Sequence, residues 1–293
     1  MGYAPQNLIY LTSQSDDLYS EISIKKRSSD KLRKICIPSR ELMGVQKSIL
    51  NELVCHHPVS AFAYAYVRGK SAVDAAKRIS GGGALLRLDV ANFFPSISMH
   101  RVYGLFRSLG YNKKVSYILS ELTTYKGSLC QGAPTSPYIS NLVCVGLDKY
   151  LSKKASYWGL KYLRYSDDMY FYGERDFKHK IFSDQVAVIL RNSSFRLNNS
   201  KTKYFPLGQQ RVILGLNILG KDPEFTRETR RKYRAAFHNA ARNISWARDN
   251  MNKLRGMAGW YKLIYGEDQN YREYRTIIMN VALIKMHEPY LVG

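Results

Sequence analysis

Two short hydrophobic runs separated by an acidic pair form the clearest pattern in this chain. Residues 162–165 and 169–172 are rich in Tyr, Phe, Leu and Met, and they flank Asp167 and Asp168. Each run is too short for a helix, so the pattern predicts two strands joined by a tight turn. Aspartates are common at exposed turns, and a plain turn is one interpretation of the pair. Beside largely buried strands, however, two like charges destabilise the sheet unless a cation lies there.

A third strand is predicted upstream, where the hydrophobic run that starts at Leu85 meets the single carboxylate of Asp89. Three aspartates on neighbouring strand ends can hold two hard cations, with water and phosphate oxygens completing the coordination. Two ions about 4 Å apart stabilise the attacking and leaving oxygens of a phosphoryl transfer, which is the chemistry of polymerases. The three carboxylates are therefore candidate ligands for two Mg²⁺ ions, with Mn²⁺ as an alternative.

Helical periodicity accounts for much of the remaining chain. Ser136 followed by Pro137 is typical of a helix start, with a hydroxyl N-cap and proline at the first helical position. Hydrophobic spacing also predicts helices over residues 40–54, 71–79, 99–109, 113–123 and 177–191. Residues 25–34 are interpreted as a basic turn between two strands, and residues 211–219 as a further strand.

The charge balance indicates what the protein binds. The 293 residues carry 45 Lys and Arg against 23 Asp and Glu, a formal net charge of +22. Such an excess favours a polyanionic partner, with nucleic acid the first candidate and an anionic membrane surface the second. No apolar run reaches the length of about 18 residues needed to span a bilayer, and no secretion signal is evident at the start.

The four cysteines lack the paired spacing of a metal site. Cys36, Cys55, Cys130 and Cys144 are interpreted as reduced, buried residues. Reduced cysteines are typical of a cytoplasmic protein, which is the location we expect.

Three motifs, in this order and spacing, resemble motifs A, B and C of reverse transcriptases. They are Asp89 with FFPS after it, QGAPTSP at residues 131–137 and YSDD at residues 165–168. IPSREL, at residues 37–42, is similar to the first motif of the bacterial enzymes. The resemblance covers roughly residues 30–220. Among bacterial groups the chain looks most like the compact retron reverse transcriptases.

The resemblance implies an α+β fold, the right-hand polymerase with fingers, palm and thumb. The fingers would comprise residues 1–80, with 101–130 contributing. The palm, an antiparallel sheet backed by helices, would comprise residues 81–221. A basic helical thumb would follow at 222–293.

The resemblance also implies roles for individual residues around the metals. Asp89 and Asp168 would bridge both ions, with Asp167 close by and the Val90 carbonyl assisting. Lys201 falls where the family places a lysine that protonates or electrostatically relieves the leaving pyrophosphate. A surface lysine in a basic protein is the alternative interpretation.

Three further residues correspond to the family's nucleotide-binding positions. Arg33 would contact the triphosphate, with Lys31 and Lys34 as weaker candidates, because a guanidinium pairs phosphate oxygens in a fork. A solvated hairpin is the alternative. Phe94 would block a ribose 2′-hydroxyl and favour deoxynucleotides, unless it is simply a core residue. Gln131 would position the template or the nascent base pair.

Candidate nucleic-acid contacts lie in two regions. Arg68 follows an alternation of alanines and aromatic residues that could pack in the core or stack on template. Residues 226–262 contain ten Lys or Arg against two acids, with aromatic residues interleaved. A helix face of such uniformly positive charge could bind along a nucleic-acid duplex. The alternative interpretation is a face that is only solvated, as charged helix faces usually are. The candidates in this region are Arg230, Arg231, Arg234 and Trp260.

The chain departs from the retron pattern at three places. Retron enzymes typically carry Asn-Ala-x-x-His before motif A, and residues 75–79 here keep only its alanine. They also carry Val-Thr-Gly near the end of the palm, where this chain has Ile213-Leu214-Gly215. Ser166 stands where alanine is commoner. The first two elements are associated with recognition of the retron's own RNA, so these departures favour a reverse transcriptase more than a retron enzyme in particular.

Taken with the resemblance, the sequence predicts an RNA-directed DNA polymerase in an antiphage defence system. Its partners would be a noncoding RNA that serves as template and primer, the RNA–DNA product and a separately encoded effector protein, but no membrane. Two alternatives remain open. One is a defence or abortive-infection reverse transcriptase without the retron product, and the other is an RNA-binding scaffold that sequesters a toxic effector.

Overall fold

The computed structural model describes residues 2–25 and 32–286. The chain divides into two compact units. The first comprises Met1–Ala72 and Ala84–Pro206, and the second comprises Val73–Gly83 and Leu207–Gly293.

The first unit contains an N-terminal helix, a two-stranded ribbon and a four-stranded sheet with helices. In chain order its elements are α1 (Pro5–Ser13), β1 (Tyr19–Lys25), β2 (Leu32–Pro38), α2 (Arg40–Ser48), a π-helical turn (Ile49–Val54), β3 (Ala84–Asp89), α4 (Met99–Ser108), α5 (Lys113–Thr123), α6 (Ser136–Val143), α7 (Val145–Tyr157), β4 (Lys161–Tyr165), β5 (Asp168–Gly173), α8 (His179–Asn192), a 3₁₀ turn (Asn199–Lys201) and β6 (Lys203–Phe205). The second unit begins with α3 (Ala72–Ile79), whose first residue belongs to the first unit.

The four-stranded sheet has the order β4-β5-β3-β6, and every pair in it is antiparallel. The hydrophobic runs of the sequence form β3, β4 and β5, and most of their residues are buried. Leu86, Met169 and Phe171 belong to a core cluster that also contains residues of the helices, such as Phe106 and Phe182. The predicted antiparallel sheet backed by helices is therefore confirmed.

The β1–β2 ribbon confirms the predicted pair of strands near the N-terminus. Its register runs from the Tyr19–Pro38 pair to the Lys25–Leu32 pair. Most of the turn between the strands, including Lys31, lies outside the described residues.

The second unit contains a three-stranded sheet and four helices after α3. In chain order these elements are β7 (Val212–Ile213), β8 (Leu216–Asn217), β9 (Glu224–Phe225), α9 (Arg227–Arg242), α10 (Ile244–Asp249), α11 (Met251–Tyr265) and α12 (Gln269–Met286). Aromatic side chains from β9, α9, α11 and α12 pack together, and the Phe237 and Tyr274 rings stack with centroids 3.9 Å apart. The predicted run of basic helices is confirmed, because α9 to α11 cover the basic stretch.

Three predictions about local structure are wrong. Residues 211–219 form a hairpin, not one strand, because Leu214 and Gly215 adopt φ angles of +51° and +81° and turn the chain between β7 and β8. The N-cap of α6 is Thr135, and Ser136 is already helical. Cys55 is exposed, whereas Cys36, Cys130 and Cys144 are buried and all four thiols are free.

Among the described residues, no helix is both long and apolar enough to cross a membrane.

Candidate active site

The ends of two neighbouring strands bring two carboxylates side by side. β3 ends at Asp89 and β5 begins at Asp168, and these residues are direct partners in the antiparallel register. Directly opposed residues point to the same face of a sheet, with Cβ atoms about 4.5–5.5 Å apart. Asp89 is only 2% exposed. Two carboxylates held this close and this far from water repel each other unless positive charge lies beside them.

The third carboxylate lies in the two-residue loop that joins β4 to β5. Tyr165 and Asp168 are register partners, which leaves Ser166 and Asp167 between the strands. Ser166 has a φ of +60°, a left-handed conformation that residues other than glycine seldom adopt. The Val90 N–H donates to the Asp167 carbonyl oxygen at 3.0 Å, which ties the loop to the end of β3. The three aspartates that the sequence singled out therefore meet at one end of the sheet.

Arg87 neutralises Asp168 from the neighbouring strand. Its Nε and Nη2 atoms donate to the two carboxylate oxygens, each at 2.9 Å, and the Tyr170 hydroxyl donates to Oδ2 at 3.3 Å. Our sequence reasoning missed this arginine. Alternation along a strand places residues two positions apart on the same face. Arg87 lies two positions before Asp89, so the sequence pattern could have identified it as a neighbour of the carboxylates.

Asp89 is held by two residues that follow α8. The Asn198 amide donates to Oδ1 at 2.9 Å, and the Lys201 ammonium donates to Oδ2 at 2.8 Å. The backbone N–H of Asn198 also donates to the Asp89 carbonyl oxygen at 2.8 Å. The predicted Lys201 is thus part of the carboxylate cluster, while Asn198 had no recognisable sequence signal.

The electrostatics of the cluster favour a cation. Burial raises the pKa of Asp167, and the neighbouring Asp89 carboxylate raises it further. Burial also raises the pKa of Asp168 to about 6, although the Arg87 guanidinium opposes the rise. Both shifts mean that the charged forms of these carboxylates are disfavoured in the folded protein, and a divalent cation would relieve that penalty.

The donor set fits a hard divalent ion, because carboxylate oxygens are the ligands that Mg²⁺ prefers. Even so, within residues 2–25 and 32–286 no three His, Cys, Asp or Glu side chains form a ready-made metal cluster. Asp89 is engaged by Asn198 and Lys201, and Asp168 is engaged by Arg87. Ion binding therefore requires these partners to share or release the carboxylates.

A buried polar network supports the loop from beneath. Arg164 is 1% exposed, and its guanidinium donates to both oxygens of Asp148 in α7, each at 2.8 Å. Its Nη1 atom also donates to the Asn141 side-chain oxygen at 3.0 Å and to the Ser166 carbonyl oxygen at 3.2 Å. The network therefore connects α6 and α7 directly to the loop that carries Asp167.

The loop before α6 lies against the ribbon. The Cys36 N–H donates to the Gln131 carbonyl oxygen at 2.8 Å. At Gly132, where φ is +123°, an added Cβ would lie 2.2 Å from the Cys36 carbonyl oxygen. Only glycine allows this approach, so the position of Gln131 depends on its neighbour.

Residues 24–220 match the family model described as "Reverse transcriptase (RNA-dependent DNA polymerase)". The chain belongs to the reverse transcriptase family. The enzyme is an RNA-directed DNA polymerase, and membership of the family implies the use of an RNA template and divalent metal ions.

Curated relatives of this reverse transcriptase are retron enzymes. The retron Ec86 reverse transcriptase of Escherichia coli is 29% identical over 281 residues, which cover 96% of this chain and 85% of that protein. The retron Mx162 reverse transcriptase of Myxococcus xanthus is 32% identical over 276 residues, covering 83% of this chain but 57% of that protein. The retron Mx65 enzyme of the same organism is 32% identical over 246 residues, covering 77% and 56%. The predicted resemblance to the retron family is confirmed.

Among solved structures, apo telomerase from Candida tropicalis is similar with a TM-score of 0.49 and 13% sequence identity. That likeness covers 91% of this chain and 61% of the telomerase chain.

Phe94 is partly buried and lies in the turn that follows β3. Its ring centroid is 5.5 Å from that of Phe93 and 6.4 Å from that of Tyr66. Tyr66 is 46% exposed, has a φ of +61° and shares a 3.1 Å hydrogen bond with the Ser166 hydroxyl. A chain of contacts therefore runs from Phe94 through Tyr66 to the loop that carries Asp167.

The remaining sequence-predicted residues of the enzyme belong to several elements of the two units. Val90 is buried and forms a β-bridge with Leu197. Arg33 is exposed on β2, and Arg68 is exposed in a turn. In the second unit Arg230, Arg231 and Arg234 are exposed on α9, and Trp260 is partly buried on α11.

Proposed function

We propose that this reverse transcriptase copies a dedicated noncoding RNA into DNA at the site formed by Asp89, Asp167 and Asp168. The cross-strand pairing of Asp89 with Asp168 is the observation that carries the proposal. Like charges placed directly opposite each other destabilise a sheet, and a divalent ion bound between them would offset that repulsion.

The three aspartates would hold two divalent ions, with the Val90 carbonyl assisting. When bound, the ions activate the primer hydroxyl and stabilise the leaving pyrophosphate. Asp89 and Asp168 would both ligate the ions, since the two residues face each other across adjacent strands. Lys201 would release Asp89 on ion binding and become free to donate a proton or positive charge to the leaving group.

Other side chains would select and orient the nucleotide. Phe94 would exclude a ribose 2′-hydroxyl, Gln131 would position the base pair and Arg33 would contact the triphosphate. The exposed guanidinium of Arg33 is available for that contact.

The polymerase domains would follow the boundaries inferred from the sequence. Residues 1–80, with 101–130, would form the fingers, and residues 81–221 would form the palm around the antiparallel sheet. The thumb would comprise residues 222–293, where α9, α11 and α12 carry exposed arginines. Arg68, Arg230, Arg231, Arg234 and Trp260 would contact nucleic acid.

The RNA would be that of a retron, and the enzyme would act in antiphage defence with a separately encoded effector. The names of the curated relatives support the retron part. The net charge of +22 supports a nucleic-acid partner.

Primer extension with labelled deoxynucleotides on an RNA template, in the presence of Mg²⁺, tests the polymerase site. We expect Asp167→Asn and Asp168→Asn to reduce incorporation by about a hundredfold or more, since each removes a carboxylate that would hold the divalent ions on which transition-state stabilisation depends. Asp184→Asn makes the same chemical change on the exposed surface of α8 and should leave incorporation unchanged. Equal activity in all three variants would refute the site.

Sequencing the nucleic acid that copurifies with the protein tests the RNA partner. A single RNA species joined to DNA would support retron synthesis, and DNA without linked RNA would favour another defence reverse transcriptase. If phage protection in cells survives Asp167→Asn and Asp168→Asn, the scaffold interpretation replaces the catalytic one.

A further inference from the structure

Tyr66 has a backbone conformation that an aromatic residue disfavours. Its φ is +61°, in the left-handed region that residues other than glycine seldom adopt, and it is 46% exposed. Residues strained in this way persist only where the surrounding structure holds them, and they occur preferentially at functional sites. The strained and half-exposed Tyr66 is therefore a candidate for a functional role.

The backbone before Tyr66 is fixed to the elements that support the carboxylate cluster. The Tyr64 N–H donates to the carbonyl oxygen of Arg164 in β4 at 2.9 Å. The Asn141 amide in α6 donates to the Ala65 carbonyl oxygen at 2.8 Å, and this hydrogen bond is buried. The chain at Tyr66 therefore cannot turn to a relaxed conformation without loss of these bonds.

The Tyr66 hydroxyl reaches the loop between β4 and β5. It shares a 3.1 Å hydrogen bond with the hydroxyl of Ser166, a residue that is 7% exposed. Burial raises the pKa of Asp167, and a hydrogen bond from the Ser166 hydroxyl opposes that rise. A serine hydroxyl has one proton, so Ser166 donates to the carboxylate and accepts from Tyr66. Alanine, the commoner residue at position 166 in the family, could form neither bond.

The Tyr66 ring lies beside Phe94. The two centroids are 6.4 Å apart and the planes are inclined by 46°, which is a favourable arrangement for an aromatic pair. Phe94 also lies beside Phe93, which is 6% exposed and stacks on Phe195 at 5.8 Å. Phe93 is thus part of the core, whereas a change at the half-exposed Tyr66 would alter the support of Phe94 without opening the core.

One side chain therefore holds two parts of the proposed active site. In the proposed function the nucleotide's sugar lies against Phe94, and its phosphates lie at the ions held by Asp167 and its neighbours. A residue that fixes both the Phe94 ring and the Ser166 loop also fixes the space left for the sugar. Small displacements in such a space change the rate and the choice of substrate.

We propose that Tyr66 is a positioning residue that determines sugar specificity, with its ring holding Phe94 and its hydroxyl holding the Ser166 loop. The inference rests on the proposed function, in particular on the exclusion of ribose by Phe94. Tyr66 acts through these two residues and needs no contact of its own with the nucleotide.

Incorporation of a single nucleotide on a primed RNA template, with dCTP or CTP and Mg²⁺, tests the role of the ring. The measured quantity is the ratio of kcat/KM for dCTP to kcat/KM for CTP. We expect Tyr66→Leu to lower this ratio about tenfold, because Phe94 without its neighbour can move aside for a 2′-hydroxyl. Tyr66→Phe keeps the ring and should keep most of the discrimination. Equal losses of kcat/KM for both nucleotides in Tyr66→Leu would indicate a merely structural role and would overturn the inference.

Tyr66→Phe and Ser166→Ala test the hydroxyl. Each should lower kcat/KM for dCTP about twofold to tenfold, since each removes a hydrogen bond that orients the loop. The double variant should be no worse than Ser166→Ala, because Tyr66 reaches Asp167 only through Ser166. Losses that multiply in the double variant would show that the hydroxyls act separately, which would contradict the inference.

Tyr157→Leu and Tyr157→Phe are the matched controls. Tyr157 is 86% exposed at the end of α7, and both variants should keep the wild-type ratio and the wild-type kcat/KM for dCTP. Thermal unfolding should give Tyr66→Leu a melting temperature close to that of the wild type, since the ring is half exposed.

Phe94→Val separates the inference from the proposed function. It should lower the ratio by itself, and Tyr66→Leu in that background should lower it no further. If the wild type incorporates no deoxynucleotide, or if Phe94→Val keeps the wild-type ratio, the proposed function fails and the inference falls with it. If Phe94→Val lowers the ratio while Tyr66→Leu keeps it at the wild-type value, the inference alone is refuted.

Discussion

Arg164 on β4 donates two hydrogen bonds of 2.8 Å to the Asp148 carboxylate on α7, and both side chains are buried. The same guanidinium donates to the carbonyl oxygen of Ser166, next to Asp167. Helix α7 is thereby connected to the loop that bears a catalytic candidate. We interpret Arg164 as a positioning residue, since it reaches the carboxylates only through the backbone of the loop.

Arg164→Met should lower the free energy of unfolding by about 3–5 kcal/mol, because it leaves the Asp148 charge buried without its partner. Chemical denaturation of the single variants and of Arg164→Met with Asp148→Leu measures this. The double variant should recover part of the loss, since no unpaired charge remains. If the double variant loses as much free energy of unfolding as the two single variants added together, the pair is not coupled.

Gly132→Ala should lower both stability and polymerase activity. The new Cβ would lie 2.2 Å from the Cys36 carbonyl oxygen, and φ is +123°. Overpacking of this kind costs about 1–3 kcal/mol, and moving the loop also moves Gln131. Thermal unfolding and primer extension report the two effects.

Gly146→Ala is the matched control for that substitution. Gly146 lies in α7, and an added Cβ would meet nothing within 4 Å. Alanine is the better helix former by about 1 kcal/mol, so the melting temperature should rise. A Gly132→Ala protein as stable as this control would contradict the close approach of the loop and ribbon.

Mg²⁺ should raise the melting temperature of the wild-type enzyme through the carboxylate cluster. Ligands that bind only the folded state stabilise it, by about 2.7 kcal/mol at a hundred times Kd. Asp89→Asn and Asp168→Asn should lose most of this response, because each removes a carboxylate of the cross-strand pair. Differential scanning fluorimetry against Mg²⁺ concentration gives the measurement. The response should persist in Asp184→Asn, and its persistence in Asp168→Asn would place the ion elsewhere.

The four thiols should differ sharply in their rate of alkylation at pH 8. Cys55 is exposed, whereas burial raises the pKa of Cys130 to about 12 and that of Cys144 to about 11. Burial also raises the pKa of Cys36. Since the thiolate is the reactive form, iodoacetamide should label Cys55 first and the others only on unfolding or at much higher pH. Mass spectrometry of the peptides identifies the sites, and equally fast labelling of Cys130 would contradict its burial.

Local patterns were enough to predict most elements of the fold. The strands around Asp167 and Asp168 followed from two apolar runs and a polar pair, because strand and turn preferences act over a few residues. The hairpin at residues 211–219 was missed because a single glycine, Gly215, inside an apolar run is also compatible with a bulge, and the leucine beside it, at a φ of +51°, carries no turn signal. Cys55 was misjudged because burial depends on packing partners that lie elsewhere in the sequence.

The sequence by itself determined most of the strands and helices, the three aspartates and the family to which the chain belongs, because each depends on residue types at short or regular spacings. Only the tertiary structure decided which charges meet. Lys201 reaches Asp89 from 112 positions away, and Arg164 reaches Asp148 from a different element. Such contacts depend on how separate elements pack, and spacing along one chain carries no record of that packing.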